Sequence, residues 1–284
     1  MKFKLDEITF IIVTYKSELF IQQCLDTLPS ESNKLIIENS KNINLVKDLK
    51  QKYDNIEVIL SDNIGMGAGN NIGLKLCKTK YAYVLNPDVK LKHNTLKILL
   101  QTLEKVQDFT LASPKNENPQ YPNYKLFKKK NEIESSNIIS VDSIDGFSML
   151  FNLEKFTDKN FFDENFFLYL ENDDLCLRVK QKGEHIFVVR ESLVEHRGGI
   201  GTDTNIECLR NWHWMWSKFY YNKKHNGFYI ALSKIFVNFF SSIIKLLYHL
   251  MFLNFKKSKI YKFRILGIIS SVIGKKSYMR LKDI

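Results

Sequence analysis

The stretch Tyr81-Ala82-Tyr83-Val84-Leu85-Asn86-Pro87-Asp88 constrains this chain more than any other. Five residues suited to a fully buried strand run straight into a proline. Proline cannot continue a hydrogen-bonded ladder, so the strand ends there. In an open α/β sheet, ligands bind beyond the carboxyl ends of the strands. Asp88 is then expected to hang over that crevice, where a carboxylate suits a hard divalent cation carrying phosphate oxygens. The plainer alternative is a Pro-Asp turn that caps the next helix.

Strand and helix patterns alternate up to this point. Residues 8–14 read as a buried strand, and 19–28 follow with helical apolar spacing. A second strand over 34–38 precedes a helix marked by Leu45, Leu49 and Tyr53. A third over 56–60 precedes a helix starting near Gly69, and another helix spans 94 to about 106. Short links between alternating elements predict βαβ crossovers, hence an α/β fold with a mostly parallel central sheet flanked by helices. The alternation breaks at Pro114. Residues 114–137, rich in Asn, Lys, Pro and Glu, read as a surface loop. Residues 143–151 are then strand-like, 171–182 form a helix closed by Gly183, and 184–189 form a last strand leading to His196 and Gly198-Gly199.

The net charge of +11 is unevenly spread: after residue 204, fifteen Lys/Arg face two Asp/Glu, while residues 1–204 carry a net −2. This divides the chain into a near-neutral domain, 1–204, and a basic helical extension, 205–284. A basic segment implies an anionic partner. No nucleic-acid module is recognisable, which leaves an anionic membrane surface. All three tryptophans, Trp212, Trp214 and Trp216, lie here. Residues 228–255 are almost wholly apolar, with Lys234, Asn238, Ser242, Lys245 and His249 among the few polar residues, recurring every three or four places as a narrow stripe. A spanning helix would carry Lys234 or Lys245 through the hydrocarbon at about 2.5–3.5 kcal/mol each, so lying in the interface is expected. A homodimer packed through this helix is the alternative. The four cysteines lack metal-ligand spacing and read as reduced thiols. The first residues lack an apolar signal segment. The expected location is therefore cytoplasmic, peripheral on the inner face of the cell membrane.

Gly65-Met66-Gly67-Ala68-Gly69-Asn70-Asn71-Ile72-Gly73 follows the third strand and opens a helix. Glycines there let a backbone approach a nucleotide closely, or let a helix pack tightly. Asn70 stands where a dinucleotide fingerprint needs glycine, and no Gly-Lys-Ser/Thr makes a P-loop.

Val13-Thr14-Tyr15, Ile37-Glu38-Asn39-Ser40, Asn63-Ile64-Gly65 with Gly69-Asn70-Asn71-Ile72-Gly73, and Leu85-Asn86-Pro87-Asp88 come in the order and spacing of family 2 glycosyltransferases. Asp145-Gly146-Phe147-Ser148-Met149-Leu150 resembles that family's acceptor-side strand. The run from Phe162 to Arg178, with Glu171-Asn172-Asp173-Asp174 inside it, resembles its Glu-Asp helix motif. The likeness covers residues 7–200 and is strongest to the rhamnosyltransferase-like branch.

The resemblance implies a GT-A fold and an inverting transfer of sugar from a UDP- or dTDP-linked donor to a hydroxyl of a glycan or lipid-linked acceptor, in cell-envelope polysaccharide synthesis. It implies that Thr14, Tyr15 and Glu38 line base and ribose, that Asn63, Gly69 and Asn70 complete the pocket, and that Asn86 reaches a ribose hydroxyl. Asp145, Gly146 and Phe147 would face the acceptor. Asp88, with His196 as second ligand, would hold Mg²⁺ or Mn²⁺ on the diphosphate.

Three positions depart from the family pattern. Glu38 replaces an Asp, Asn86-Pro87-Asp88 replaces Asp-x-Asp, and Glu171-Asn172 replaces Glu-Asp. Inverting transfer needs a base for the acceptor proton, which Asn172 cannot be. Glu171 is the first candidate, then Asp173 or Asp174. On a helix starting there, Asp174 lies near Glu171 while Asp173 points about a hundred degrees away. Acids at a helix start also serve as caps. Two other functions fit less well. A sugar nucleotidyltransferase usually carries a glycine-rich loop after the first strand, where this chain has Val13-Thr14-Tyr15-Lys16. Asn86 and Asn172 would also suit a catalytically inactive scaffold that binds nucleotide-sugar at the membrane.

Overall fold

A computed structural model describes residues 4–106, 108–126, 137–198 and 203–284. Residues 127–136 of the expected loop, and Gly199, lie outside the described residues. The chain forms two compact units. One comprises Met1–Asp163 with Asn172–Gly198, the other Glu164–Glu171 with Gly199–Ile284. The eight-residue segment Glu164–Glu171, which lies before the charge boundary at 204/205, belongs to the second unit.

The first unit is built on strands whose composition dictates burial. β1 (Ile8–Thr14) and β4 (Tyr81–Leu85) are buried at every position, as a central parallel strand must be. β2 (Asn33–Glu38) and β3 (Ile56–Leu60) continue the parallel sheet in the order β3-β2-β1-β4. Between them run α1 (Glu18–Leu25), α2 (Ile43–Lys52) and α3 (Met66–Leu76). α3 begins three residues before the expected Gly69, because Gly65 adopts φ +104° and makes the entry turn. The glycines of α3 do pack tightly. A Cβ at Gly73 would stand 2.4 Å from Ile11 Cγ2, and one at Gly69 would stand 2.9 Å from Val13 Cγ1. The helix can lie this close to β1 only without side chains there.

After Pro87 the chain makes β5 (Val89–Leu91), an element too short to leave a sequence pattern, and then α4 (Thr95–Val106). The stretch expected to be loop from Pro114 is in part strand. β6 (Leu111–Asn116) runs through the proline, and β7 (Tyr124–Lys125) pairs with β9 (Ser143–Ile144). Pro114 is tolerated because β6 pairs on one side with β10 (Ser148–Asn152) only at Leu111 and Ala112, while a register irregularity relaxes its other side. The single strand expected over 143–151 is two strands, β9 and β10, broken at Asp145-Gly146-Phe147. Beyond the helix α5 (Glu171–Gln181), the last strand is longer than its apolar core suggests: β11 is Ile186–His196. A further strand, β8 (Ile138–Ser140), pairs with it.

Nine of the described strands form one sheet in the order β3-β2-β1-β4-β10-β6-β11-β5, with β8 beside β11, and β7 and β9 form a separate two-stranded sheet. The α/β class holds, and the sheet is mixed: β10 lies antiparallel to both β4 and β6, and β5 antiparallel to β11. The four cysteines are free.

The second unit is helical. α6 (Thr204–Asn226), α7 (Phe228–Met251) and α8 (Phe255–Val272) are separated by Gly227 at φ +83° and by a turn capped by Asn254. Cys208, Trp212, Trp216 and Phe263 form one core, and Met215, Phe219, Ala231, Ile235 and Ile268 another. α8 crosses α6 at Gly267, where a Cβ would fall 2.3 Å from the Trp212 carbonyl oxygen. The segment 164–171 packs on α6: Phe166 against Tyr220, Phe167 against His213, and Tyr169 against Trp214. Ser217 Oγ donates to the Leu168 carbonyl at 2.8 Å. α7 is long and apolar enough to cross a membrane by length and composition, and 17% of its most apolar stretch is buried.

Candidate functional site

Register brings the candidate residues of the first unit to one edge. In parallel strands the carboxyl ends align, so Thr14 lies beside Glu38, and Ile12 pairs with Leu85 just before Asn86. β10 arrives from the opposite direction with Ser148 opposite Leu85, which sets Phe147 beside Asn86. The Asn86 amide donates to the Phe147 carbonyl at 2.9 Å. β5 pairs with the end of β11 with Val89 opposite His196. That pairing places His196 Nε2 3.4 Å from Asp88 Oδ1. The His196 ring stacks on Phe147 at 4.0 Å. The two side chains are each about one-fifth exposed, 20% for His196 and 19% for Asp88. β5, which the sequence pattern missed, is the device that joins them.

The edge holds buried polar atoms with no partner among the described residues. Thr14 Oγ1, Asn39 Oδ1 and Asn70 Oδ1 are buried and accept or donate nothing. They are neighbours: the Asn39 amide donates to the Thr14 carbonyl, and the space over Gly69 is closed by Val13 and Asn39 Nδ2. Such groups cost stability unless a ligand or water satisfies them. Asn39 was passed over in the sequence as part of a motif, although its position one residue beyond β2 was a usable signal. Asn63 and Tyr15 sit nearby in sequence on the loops after β3 and β1, both partly exposed.

Glu38 is fully buried, and its carboxylate is bound by its own loop. Ser40 N donates to Oε1 at 3.0 Å, Asn42 N donates to Oε2 at 2.6 Å, and the Ser40 hydroxyl also donates to Oε1. The extra methylene lets the carboxylate fold back and fix the β2–α2 turn. Remaining lone pairs still leave room for one more donor. Cys24 Sγ, also fully buried, donates to the Asn86 carbonyl at 3.7 Å. Burial, with the Asp88 charge second, pushes its thiol up to about 12, so it stays a neutral packing group.

The acidic run of α5 separates into distinct environments. Asp173 accepts from Lys125 Nζ at 2.7 and 2.8 Å and from Ser143 Oγ at 2.6 Å. Asp174 has no exposed surface and pairs with Arg178 Nε at 2.9 Å. Arg178 in turn donates to the carbonyls of Asn160 and Phe161. Asn172 Nδ2 donates to the Ile144 carbonyl at 2.9 Å and lies against Gly146. All three therefore tie α5 to its own unit. Glu171, the first residue of α5, belongs to the helical unit and is 7% exposed. Asp145 is half-buried, and burial pushes its carboxyl above the usual range against the opposing pull of Lys125 and His196.

Residues 9–166 match the model of glycosyl transferase family 2. Rhamnosyltransferase WbbL of Escherichia coli (strain K12) is 29% identical over 208 residues, which cover 63% of this chain and 79% of that protein. The low-salt glycan biosynthesis hexosyltransferase Agl10 of Haloferax volcanii is 26% identical over 203 residues, 64% of each. Among solved structures, mannosyltransferase PcManGT from Pyrobaculum calidifontis, in complex with GDP-Man and Mn²⁺, superposes with a TM-score of 0.59 at 11% identity, over 95% of this chain and 88% of that one. GalNAc-T7 with UDP, GalNAc and Mn²⁺ gives 0.57 at 13% identity, over 78% of this chain and 52% of that one. At such identities these neighbours establish the fold alone, which is GT-A.

Proposed function

The chain belongs to glycosyl transferase family 2, and on that premise we propose that it moves a rhamnosyl or hexosyl group from a UDP- or dTDP-linked donor to a hydroxyl of a glycan or lipid-linked acceptor, with inversion. The names of the two curated relatives support the sugar class. The observation that carries the reading is the trio of unpartnered buried atoms on Thr14, Asn39 and Asn70, beside the Asp88–His196 pair. A polar pocket wall and a two-ligand metal corner on one sheet edge suit the base, ribose and diphosphate of a nucleotide-sugar.

The chemistry of the Asp88–His196 pair fits a divalent cation. A carboxylate oxygen and an imidazole nitrogen lie close enough to share one ion. Among the described residues no group of three His, Cys, Asp or Glu converges, so the donor's phosphate oxygens and water would supply the remaining ligands, as Mg²⁺ and Mn²⁺ sites commonly allow. When bound, such an ion supplies charge stabilisation for the departing diphosphate. Phe147 holds the His196 ring by stacking, so only the imidazole edge is available to a ligand. Glu171, first of the candidates by its place in the family motif, removes the proton of the acceptor hydroxyl; Asp173 is held by Lys125 and Ser143, and Asp174 by Arg178. Membrane attachment is through α7, peripheral on the inner face, with its apolar side among acyl chains. Its exposed Phe236, Phe240 and Leu247 support this.

The test is a thermal-shift screen of full-length protein against nucleotide-sugars with Mn²⁺ or Mg²⁺. A UDP- or dTDP-linked sugar should raise the melting temperature, and most of the rise should need the metal. No stabilisation by any nucleotide-sugar would contradict the donor assignment.

A further inference from the structure

α7 is turned the opposite way from a helix on the surface of a soluble domain. Beyond Ala231 and Ile235, which pack into the core, many of its large apolar residues face outward: Phe236, Val237, Ile244 and Leu247 are all exposed. Within its polar stripe, Asn238 and Ser242 face α6 and α8, while Lys234 and Lys245 are exposed. Lys218 Nζ of α6 donates to Asn238 Oδ1 at 2.9 Å. Arg264 Nη1 of α8 donates to Asn211 Oδ1 at 2.9 Å, and its Nε reaches Ser242 Oγ at 3.4 Å. Ser242 is buried, one helical turn beyond Asn238.

The partners of these two cations are all neutral. Among the described residues no carboxylate lies within ion-pair distance of Lys218 or Arg264. Burial lowers the pKa of both, and the Arg264 charge lowers that of Lys218 further. The structure thus holds two partly desolvated, mutually repelling charges, one from α6 and one from α8, against adjacent turns of α7, positioned by amide and hydroxyl oxygens. An arrangement of this kind is unfavourable until an anion joins it.

We propose that Lys218 and Arg264 bind the phosphate group of a membrane lipid among α6, α7 and α8. The guanidinium suits two phosphate oxygens at once, and the ammonium supplies a point charge for a third. Asn211, Asn238 and Ser242 keep both heads in place. A free anion has no use for the apolar face of α7, whereas a lipid presents phosphate and acyl chains together. The proposal rests on the peripheral-membrane reading of α7 and is independent of sugar transfer.

The experiment titrates full-length protein in dodecyl maltoside with dihexanoyl phosphatidic acid, inorganic phosphate or dihexanoylglycerol, following the unfolding midpoint. Phosphatidic acid should raise it saturably, inorganic phosphate should need at least about tenfold more, and dihexanoylglycerol should do nothing. Lys218→Gln with Arg264→Gln should weaken phosphatidic acid about tenfold or more, while Lys256→Gln with Lys257→Gln should change it less than about threefold. A double variant that titrates like wild type overturns the site, as does equal weakening by the two pairs. Inorganic phosphate binding as tightly as phosphatidic acid overturns the lipid as its occupant. Should the double variant not fold, acetylation of wild-type lysines decides: phosphatidic acid must protect Lys218 but not Lys256, and equal reactivity with and without lipid refutes the proposal. Flotation with anionic vesicles separates the premise from the site. Wild type that does not float, like the triple variant Phe236→Ser, Phe240→Ser and Leu247→Ser, removes the membrane reading. Wild type that floats while the double variant titrates unchanged removes the phosphate site alone.

Discussion

Replacing Asp174 with Asn tests whether the acids of α5 are correctly sorted. Asp174 has no exposed surface, and its carboxylate is the counter-charge of Arg178. Arg178 fastens α5 to the carbonyls of Asn160 and Phe161. Asn71 grips the next residue, Phe162, with two further hydrogen bonds of 2.8 and 3.0 Å. Removing one partner of a buried pair costs about 3–5 kcal/mol, because the other charge stays behind. Asn keeps an acceptor for Nε, and the Arg178 side chain is 17% exposed, so the low end, about 3 kcal/mol, is expected. For a domain of this size that lowers the melting temperature by roughly 6–12 °C. The assay is a thermal melt of each variant, followed by donor turnover well below its own transition. Asp174→Asn should keep its rate per folded molecule within about threefold while losing stability. A variant that melts like wild type and turns over a hundredfold slower would refute the structural role and make Asp174 the base.

Two further outcomes are expected. Glu171→Gln should lower kcat by about 10²–10⁴ with donor affinity nearly unchanged, since only the transition state uses that proton transfer; full activity in this variant would place the base elsewhere. His213 should make the helical unit acid-sensitive. Its Nδ1 lies 2.9 Å from Ser277 Oγ and its Nε2 2.9 Å from the Met279 carbonyl, and burial pushes its pKa down from 6.5 to about 4. The unfolded chain therefore takes up the proton first. Stability is fully present above pH 6.5 and is lost as pH falls towards 4, at about 1.4 kcal/mol per unit. Urea melts followed by tryptophan fluorescence report this unit, because all three tryptophans lie on α6. A flat profile between pH 6.5 and 4.5 would contradict the burial of His213.

The sequence was most legible where one physical constraint acts alone. β1, apolar but for its threonines, and β4, apolar throughout, are strong strand signals, and Pro87 ends a ladder wherever it occurs, so the parallel edge carrying Thr14, Glu38 and Asn86 could be read directly. The glycines of α3 announced a close approach, and the approach is to Ile11 and Val13. What was not legible depends on pairing between distant residues. Nothing local marks Val89–Leu91 as a strand, since its partner is the end of β11, a hundred residues away. Pro114 read as a break because its tolerance depends on where β10 stops pairing. The acids of α5 looked alike in the sequence, and Lys125, Ser143 and Arg178 told them apart. The polar stripe of α7 was visible, but its direction was not: Lys218 and Arg264, which its Asn238 and Ser242 face, lie on two other helices.

The most direct test of the account is the metal dependence of transfer at Asp88. Full-length protein is incubated with radiolabelled UDP- and dTDP-sugars, with a membrane lipid extract as the acceptor source, and incorporation of label is measured before and after excess EDTA. Transfer should stop on chelation, return with Mn²⁺ or Mg²⁺, and be absent in Asp88→Ala at any metal concentration. Transfer that continues in excess EDTA, or in Asp88→Ala at the wild-type rate, would contradict it.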